Sequence, residues 1–294
     1  MQKMKTDFSH IEDLQKHTHH AMATVFELYI QHADGDYAEK AAWEVFKEID
    51  RLEQELSRFI PNSEISRINN SAPGEKVILS ADTYECLRQS IEMNRVTMGA
   101  FDITYAKGLK RNGGNNLVLH EEEMSAARAD AETCIDLGGI GKGYAVEKAE
   151  EILKEWGLAT ALMSGGFSSV KAVGAPEGFD GWPVSISNPI NNTETLLSFL
   201  LKDSSISGSG IKKGMHIIDP LTGQPAMSKT GSWAIAKSAI VSEALSTAFI
   251  ILDNDKVSEI CGKNDHFYAI ILNEDYPGTD IFITGESGMI RKLI

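Results

Sequence analysis

Four glycines fall within the six residues 138–143, inside the run Asp136-Leu-Gly-Gly-Ile-Gly-Lys-Gly-Tyr-Ala-Val-Glu147. No other stretch constrains the backbone as tightly. A short strand, Ala131 to Asp136, is predicted to end there. From Tyr144 the pattern turns helical, with Ala145, Ala149, Ile152 and Leu153 on one face. A glycine-rich turn that feeds a helix leaves backbone N–H groups without internal partners, and with the helix dipole they suit an anion such as phosphate. The spacing is neither that of a dinucleotide-binding G-x-G-x-x-G nor that of a Walker A loop, because Lys142 is followed by Gly143 and not by Ser or Thr. The same residues also suit a tight strand-to-helix connection that needs positive φ.

The chain of 294 residues is long enough for one large core or two modest ones. Its 42 acidic and 28 basic residues leave a formal charge of −14, which argues against a nucleic-acid partner. An anionic substrate must then be met by a local device, such as a metal ion or oriented amides. Cys86, Cys134 and Cys261 have neither metal-type nor redox-type spacing, so three reduced thiols are expected. Residues 1–20 read as a polar leader, with His17, His19 and His20 in solvent, and residues 21–294 as one domain. No apolar run matches a signal peptide or a membrane span, so the chain as written is expected to stay in the cytoplasm. A periplasmic or membrane-anchored placement would require a signal sequence already removed.

Thr24 to Gln31 reads as a strand by its β-branched and aromatic content. Tyr37 to Phe59 reads as an amphipathic helix with Trp43, Phe46, Ile49, Leu52 and Leu56 on its core stripe. Asp82 is the expected N-cap of a helix from Tyr84 to Thr97, Arg111 to Asn116 a loop, and Glu121 to Glu123 the first turn of a helix. Strands are expected at Ala159 to Met163, Ser168 to Val173, Trp182 to Asn188, Leu196 to Leu201 and Ser204 to Ser207. His216 to Gly223 reads as a strand running into an Asp-Pro turn, and further strands are expected at Trp233 to Ala236, Phe267 to Leu272 and Asp280 to Thr284. Between them, Ser238 to Leu252 reads as a small-residue helix. Together these predict a single compact α+β unit of mostly antiparallel or mixed sheets with packed helices.

On that last helix Glu243, Ser246 and Thr247 set a carboxylate and two hydroxyls on adjacent turns. All are hard oxygen donors, suited to Mg²⁺ or Ca²⁺ and unsuited to zinc. A helix whose Ser and Thr bond back to its own carbonyls would carry the same pattern.

Eight motifs occur in order: Met22-Ala23-Thr24, Ser57 to Asn69, Gly99-Ala-Phe-Asp102, Asp136 to Tyr144, Ser164-Gly-Gly166, Ser207-Gly208, His216-Ile-Ile-Asp-Pro-Leu-Thr-Gly223 and Ser242-Glu-Ala-Leu-Ser-Thr247. Together they resemble the ApbE family, the FAD:protein FMN transferases, over residues 20 to 285. The resemblance implies an enzyme that takes FAD as substrate with Mg²⁺ and joins FMN to a threonine hydroxyl of an acceptor flavoprotein. Relatives that only bind FAD, or hydrolyse it to FMN and AMP, are the alternative. It also implies that Met22, Phe59, Ala100, Phe101, Asp102, Gly138, Tyr144 and Ile218 contact FAD. The Gly141 carbonyl with Glu243, Ser246 and Thr247 would hold the metal, and His216, Asp219 and Glu243 would be catalytic. His216 would take the threonine proton, and Phe59, Phe101 and Tyr144 would offer flat surfaces to the rings.

Several positions depart from the pattern. Glu243 stands where the family usually has Asp, moving the carboxylate by about 1.5 Å, which either weakens Mg²⁺ binding or favours the more tolerant Ca²⁺. Ser246 stands where some members carry an acid, Gly141 where Ala is usual, Leu221 where Arg is common, and Ala23 where glycine is usual. Phe167-Ser168 stands where Asn or Asp often follows the Gly pair.

Overall fold

A computed structural model describes residues 8–104, 116–189, 191, 193–210, 217–273, 280–285 and 290–292. In chain order the elements are β1 (Leu14–Ala21), β2 (Thr24–Gln31), α1 (Gly35–Leu56), α2 (Glu64–Asn70), β3 (Val77–Ile78), α3 (Ala81–Val96), β4 (Leu117–His120), β5 (Ser125–Arg128), α4 (Gly141–Glu155), β6 (Ala161–Gly165), β7 (Ser169–Val173), β8 (Trp182–Ser187), β9 (Thr195–Leu201), β10 (Ser204–Gly210), β11 (Lys229–Ala236), α5 (Ala239–Phe249), α6 (Asn254–Gly262), β12 (Tyr268–Asn273), β13 (Asp280–Thr284) and β14 (Ile290–Lys292). An antiparallel sheet runs β1-β2-β6-β7-β10-β11-β12-β13, with two small sheets, β14-β9-β8 and β3-β5-β4. This is the α+β class expected.

The main sheet is covered on both faces, so its inner strands β6, β7 and β11 are buried along their whole length. Alternate residues divide between two cores. Met163, Ala234, Ala269 and Ile271 face the helices. Leu162, Trp233, Ile235, Ile270 and Leu272 face β8 and β9, where Trp182, Val184 and Phe199 cover them. On the helical side α4 and α5 lie together against the sheet, and this pairing brings the two ends of the candidate site into contact.

Several expectations are corrected. Part of the supposed leader is strand β1, paired in register with β2 from Leu14↔Gln31 to Ala21↔Thr24. An edge strand needs one ladder partner and tolerates polar side chains, so its composition concealed it. His19 stacks on Phe46 and pairs with Asp50 at 2.7 Å, whereas His20 is exposed, so the histidine cluster is split across the strand. In α1 the buried stripe is Ala38, Ala42, Val45, Ile49, Leu52 and Leu56. The small alanines take the close approach that Trp43 was expected to fill, and Trp43 is 61% exposed with Lys47 over its ring.

Ser80, not Asp82, caps α3. Asp82 instead accepts from the Tyr144 hydroxyl at 2.9 Å and pairs with Arg51. Residues Glu121 to Glu123 form the turn between β4 and β5 and no helix. The stretch 131–136 is not a strand. Its Ile135 amide and carbonyl are bonded by the Asn69 side chain at 2.7 and 2.9 Å, in place of a ladder partner. The loop expected at 111–116 lies outside the described residues except for Asn116. All three cysteines are unpaired, as expected.

Candidate functional site

The glycine-rich run bends at 138–140, and α4 begins at Gly141, three residues before the apolar periodicity starts. Ile140 is the N-cap and offers no side-chain oxygen, so no side chain of its own caps this helix end. The turn is fixed from below. The Gly138 amide donates to Asp136 Oδ1 at 2.8 Å, and Arg58 holds Asp136 Oδ2 at 2.9 Å. The turn is also tightly packed at Gly139. A Cβ at Gly139 would lie 3.3 Å from the Phe101 ring and 3.4 Å from Thr247 Oγ1.

Helix α5 approaches from the other side, capped by Ser238. Glu243 is 5% exposed. Its Oε2 accepts from the Gly143 amide, and its Oε1 pairs with the Lys142 ammonium. One turn on, Ser246 Oγ donates to the Glu243 carbonyl at 2.9 Å, and Thr247 Oγ1 lies 3.3 Å from the same oxygen. Ser209 on β10 reaches both hydroxyls, at 3.0 and 3.3 Å. The Ser and Thr thus bond back to their own helix while remaining beside Glu243 and the glycine turn.

Of the residues singled out from the sequence, Glu243, Thr247 and Phe101 come together against the glycine turn that contains Gly138 and Gly141, with Ser246 one turn from Glu243. Ala100 and Asp102 flank Phe101 in a loop fixed by Asn94, which donates to the Phe101 carbonyl at 2.7 Å. Asp102 Oδ1 accepts from the Thr104 amide at 2.8 Å. The Leu221 side chain lies 3.5 Å from where a Gly99 Cβ would sit, joining the loop of Ile218 and Asp219 to this one. Both Asp219 oxygens serve that turn, accepting from the Leu221 amide at 2.9 Å and the Thr222 hydroxyl at 2.8 Å. Met22 sits at the tip of the β1–β2 hairpin. His216 lies outside the described residues.

The three expected ring surfaces differ. Phe59 is 78% exposed with the Arg58 guanidinium 4.4 Å from its centroid. Phe101 and Tyr144 are buried, and neither offers an open face. Burial and the bond to Asp82 push the Tyr144 hydroxyl's pKa well above its ordinary value. Sequence reasoning passed over Lys142 and Ser209 as functional residues. Ser209 carried a signal, since it lies two residues beyond Ser207 and so on the strand face that meets α5.

Among the described residues no group of three or more His, Cys, Asp or Glu side chains is arranged so that it could hold a metal ion. A cation here would rest on one carboxylate with neutral hydroxyls and carbonyls, a donor set that fits a hard metal. The described residues also contain no helix long and apolar enough to cross a membrane.

The chain is similar in sequence and in fold to known proteins. The FAD:protein FMN transferase of Haemophilus influenzae is 24% identical, with 87% of this chain and 84% of that one covered. The Vibrio cholerae enzyme of the same name is 24% identical over 78% and 79%. The solved structure of flavin transferase ApbE from Vibrio cholerae shares the fold with a TM-score of 0.82 at 18% identity, covering 92% of this chain and 97% of that one. The ApbE protein of Thermotoga maritima gives the same TM-score and coverage at 22% identity. The ApbE family model matches residues 22–271, and with the motif order and the α4–α5 site this chain belongs to the ApbE family.

Proposed function

We propose that this chain transfers FMN from FAD to a threonine hydroxyl of an acceptor flavoprotein, with Mg²⁺ as the metal. The observation that carries the proposal is Glu243, a buried acid on α5 set against the first turn of α4, with Ser246 and Thr247 beside it. Two related proteins named FAD:protein FMN transferase support it. Glu243, Ser246, Thr247 and the Gly141 carbonyl would hold the metal, which supplies charge neutralisation on the diphosphate oxygens. The glycine turn lets the FAD diphosphate approach the start of α4, where the helix dipole and Lys142 add positive charge. In a chain of net charge −14 these local groups must do the work that the overall field cannot.

In the reaction the threonine oxygen forms a bond to the FMN-side phosphorus, the bridging P–O bond breaks, and AMP leaves. His216 takes the hydroxyl proton, and Asp219 fixes the turn of residues 219–222. The test incubates the protein with an acceptor flavoprotein domain, FAD and Mg²⁺, and reads flavin fluorescence on a denaturing gel beside AMP release. The expected result is a fluorescent acceptor band with equal AMP. FMN and AMP without a labelled acceptor would overturn transfer in favour of FAD hydrolysis.

A further inference from the structure

The carboxylate assigned to the metal already has partners. Gly143 N–H occupies one oxygen and the Lys142 ammonium the other. The Glu243 side chain is 6% exposed and that of Lys142 21%, so little water reaches the pair. A carboxylate this buried needs a counter-charge at all times, because an unpaired ion in low dielectric is strongly unfavourable. Two cations cannot share one carboxylate oxygen without repulsion, and a lysine ammonium is a compact charge on a flexible stem that can move.

We propose that Lys142 and the divalent cation are alternative occupants of Glu243 Oε1, so that the lysine is a latch the metal must open. With the metal absent, the ammonium keeps the acid paired and ties α4 to α5. With the metal in place, Lys142 swings off the carboxylate. The Gly138 carbonyl, 3.5 Å from the ammonium, keeps it over the glycine turn. Lys142 is thus a positioning residue that sets metal affinity, and the latch rests on the metal site proposed above. The extra methylene of Glu243 relative to Asp gives the carboxylate the reach that the Gly143 contact requires.

The test uses the full chain without flavin. Mg²⁺ affinity is measured by calorimetry for the wild type and Lys142→Gln, and acetylation of Lys142 in the wild type is followed by mass spectrometry with and without Mg²⁺. The latch predicts that Lys142→Gln binds Mg²⁺ about tenfold more tightly, a change of about 1.4 kcal/mol. It also predicts that Mg²⁺ speeds acetylation of Lys142. Should Lys142→Gln not fold, the wild-type acetylation decides alone. Mg²⁺ binding with unchanged acetylation, or with equal or weaker affinity in Lys142→Gln, overturns the latch and leaves the metal site standing. Absence of Mg²⁺ binding in both proteins overturns the latch and the metal site together.

Discussion

A Cβ added to Gly143 would sit 2.5 Å from the carbonyl oxygen of Ala239 and 2.9 Å from Glu243 Oε2. Helices α4 and α5 therefore meet at a point where only glycine fits, and that contact delivers the Gly143 amide to Glu243. In most helix interiors Gly→Ala stabilises by up to about 1 kcal/mol. Here the obstacle is backbone, which cannot rotate away. Gly143→Ala is expected to destabilise the protein by about 1–3 kcal/mol and to abolish flavin transfer. Urea unfolding measures the first; equal or greater stability than wild type would refute the packing argument.

The β1–β2 hairpin turns on two residues, Met22 at φ 49° and Ala23 at φ 54°. Two positive φ values in a two-residue loop define a type I′ turn, which favours glycine. Ala23 carries a Cβ, which strains the left-handed conformation by roughly 1–2 kcal/mol. Ala23→Gly should raise stability by on the order of 1 kcal/mol, or about 2 °C in melting temperature. The sign is informative, since Ala→Gly destabilises almost everywhere else. A lower melting temperature would contradict the strain.

Particular residues explain what could be foreseen. Strands β6 and β12 were legible because both faces are buried there by apolar residues, which gives the short runs Ala161-Leu-Met163 and Ala269-Ile-Ile-Leu272. Glu243, Ser246 and Thr247 were legible because local spacing places them on adjacent helical turns. Strand β1 was hidden by polar residues that an edge strand tolerates, and 131–136 was misread as a strand because the Asn69 side chain, 66 positions from Ile135, takes the place of a ladder partner. Helix α6 was passed over, although Asp253 caps it by accepting from Lys256. The Lys142–Glu243 pair spans 101 positions, so no local pattern could announce it.

Lys229 lies on β11 under the end of α5, 3% exposed, with its ammonium donating to the carbonyls of Phe249 at 2.7 Å and Leu252. Burial pulls its pKa down from 10.5 to about 8. The unfolded chain therefore holds this proton more tightly than the folded one. The resulting destabilisation is complete below pH 8 and fades as pH rises from 8 to 10.5. Lys229→Met removes the titration. Subtracting its unfolding free energy from that of the wild type should give a difference flat below pH 8. That difference should climb by on the order of 2 kcal/mol toward pH 10.5, allowing for partial solvent screening. Parallel curves for the two proteins would show that burial does not control this lysine.

Glu243→Asp tests how side-chain length sets the metal. Shortening by one methylene withdraws the carboxylate about 1.5 Å from the Gly143 amide and from Lys142. Mg²⁺ requires near-octahedral oxygens at about 2.0–2.1 Å, whereas Ca²⁺ accepts irregular shells at about 2.3–2.6 Å. The long, amide-bonded glutamate therefore admits Ca²⁺ beside Mg²⁺, and aspartate, freed of that bond, selects Mg²⁺ more sharply. Initial rates of acceptor labelling in Mg²⁺ and in Ca²⁺ give a ratio for each protein. Glu243→Asp should raise the Mg²⁺:Ca²⁺ ratio about tenfold, while Glu243→Ala should lose activity at least about a hundredfold with either ion. A ratio unmoved by the aspartate would mean that the carboxylate's reach does not select the metal, and the choice of ion would then rest on the Ser246, Thr247 and Gly141 oxygens.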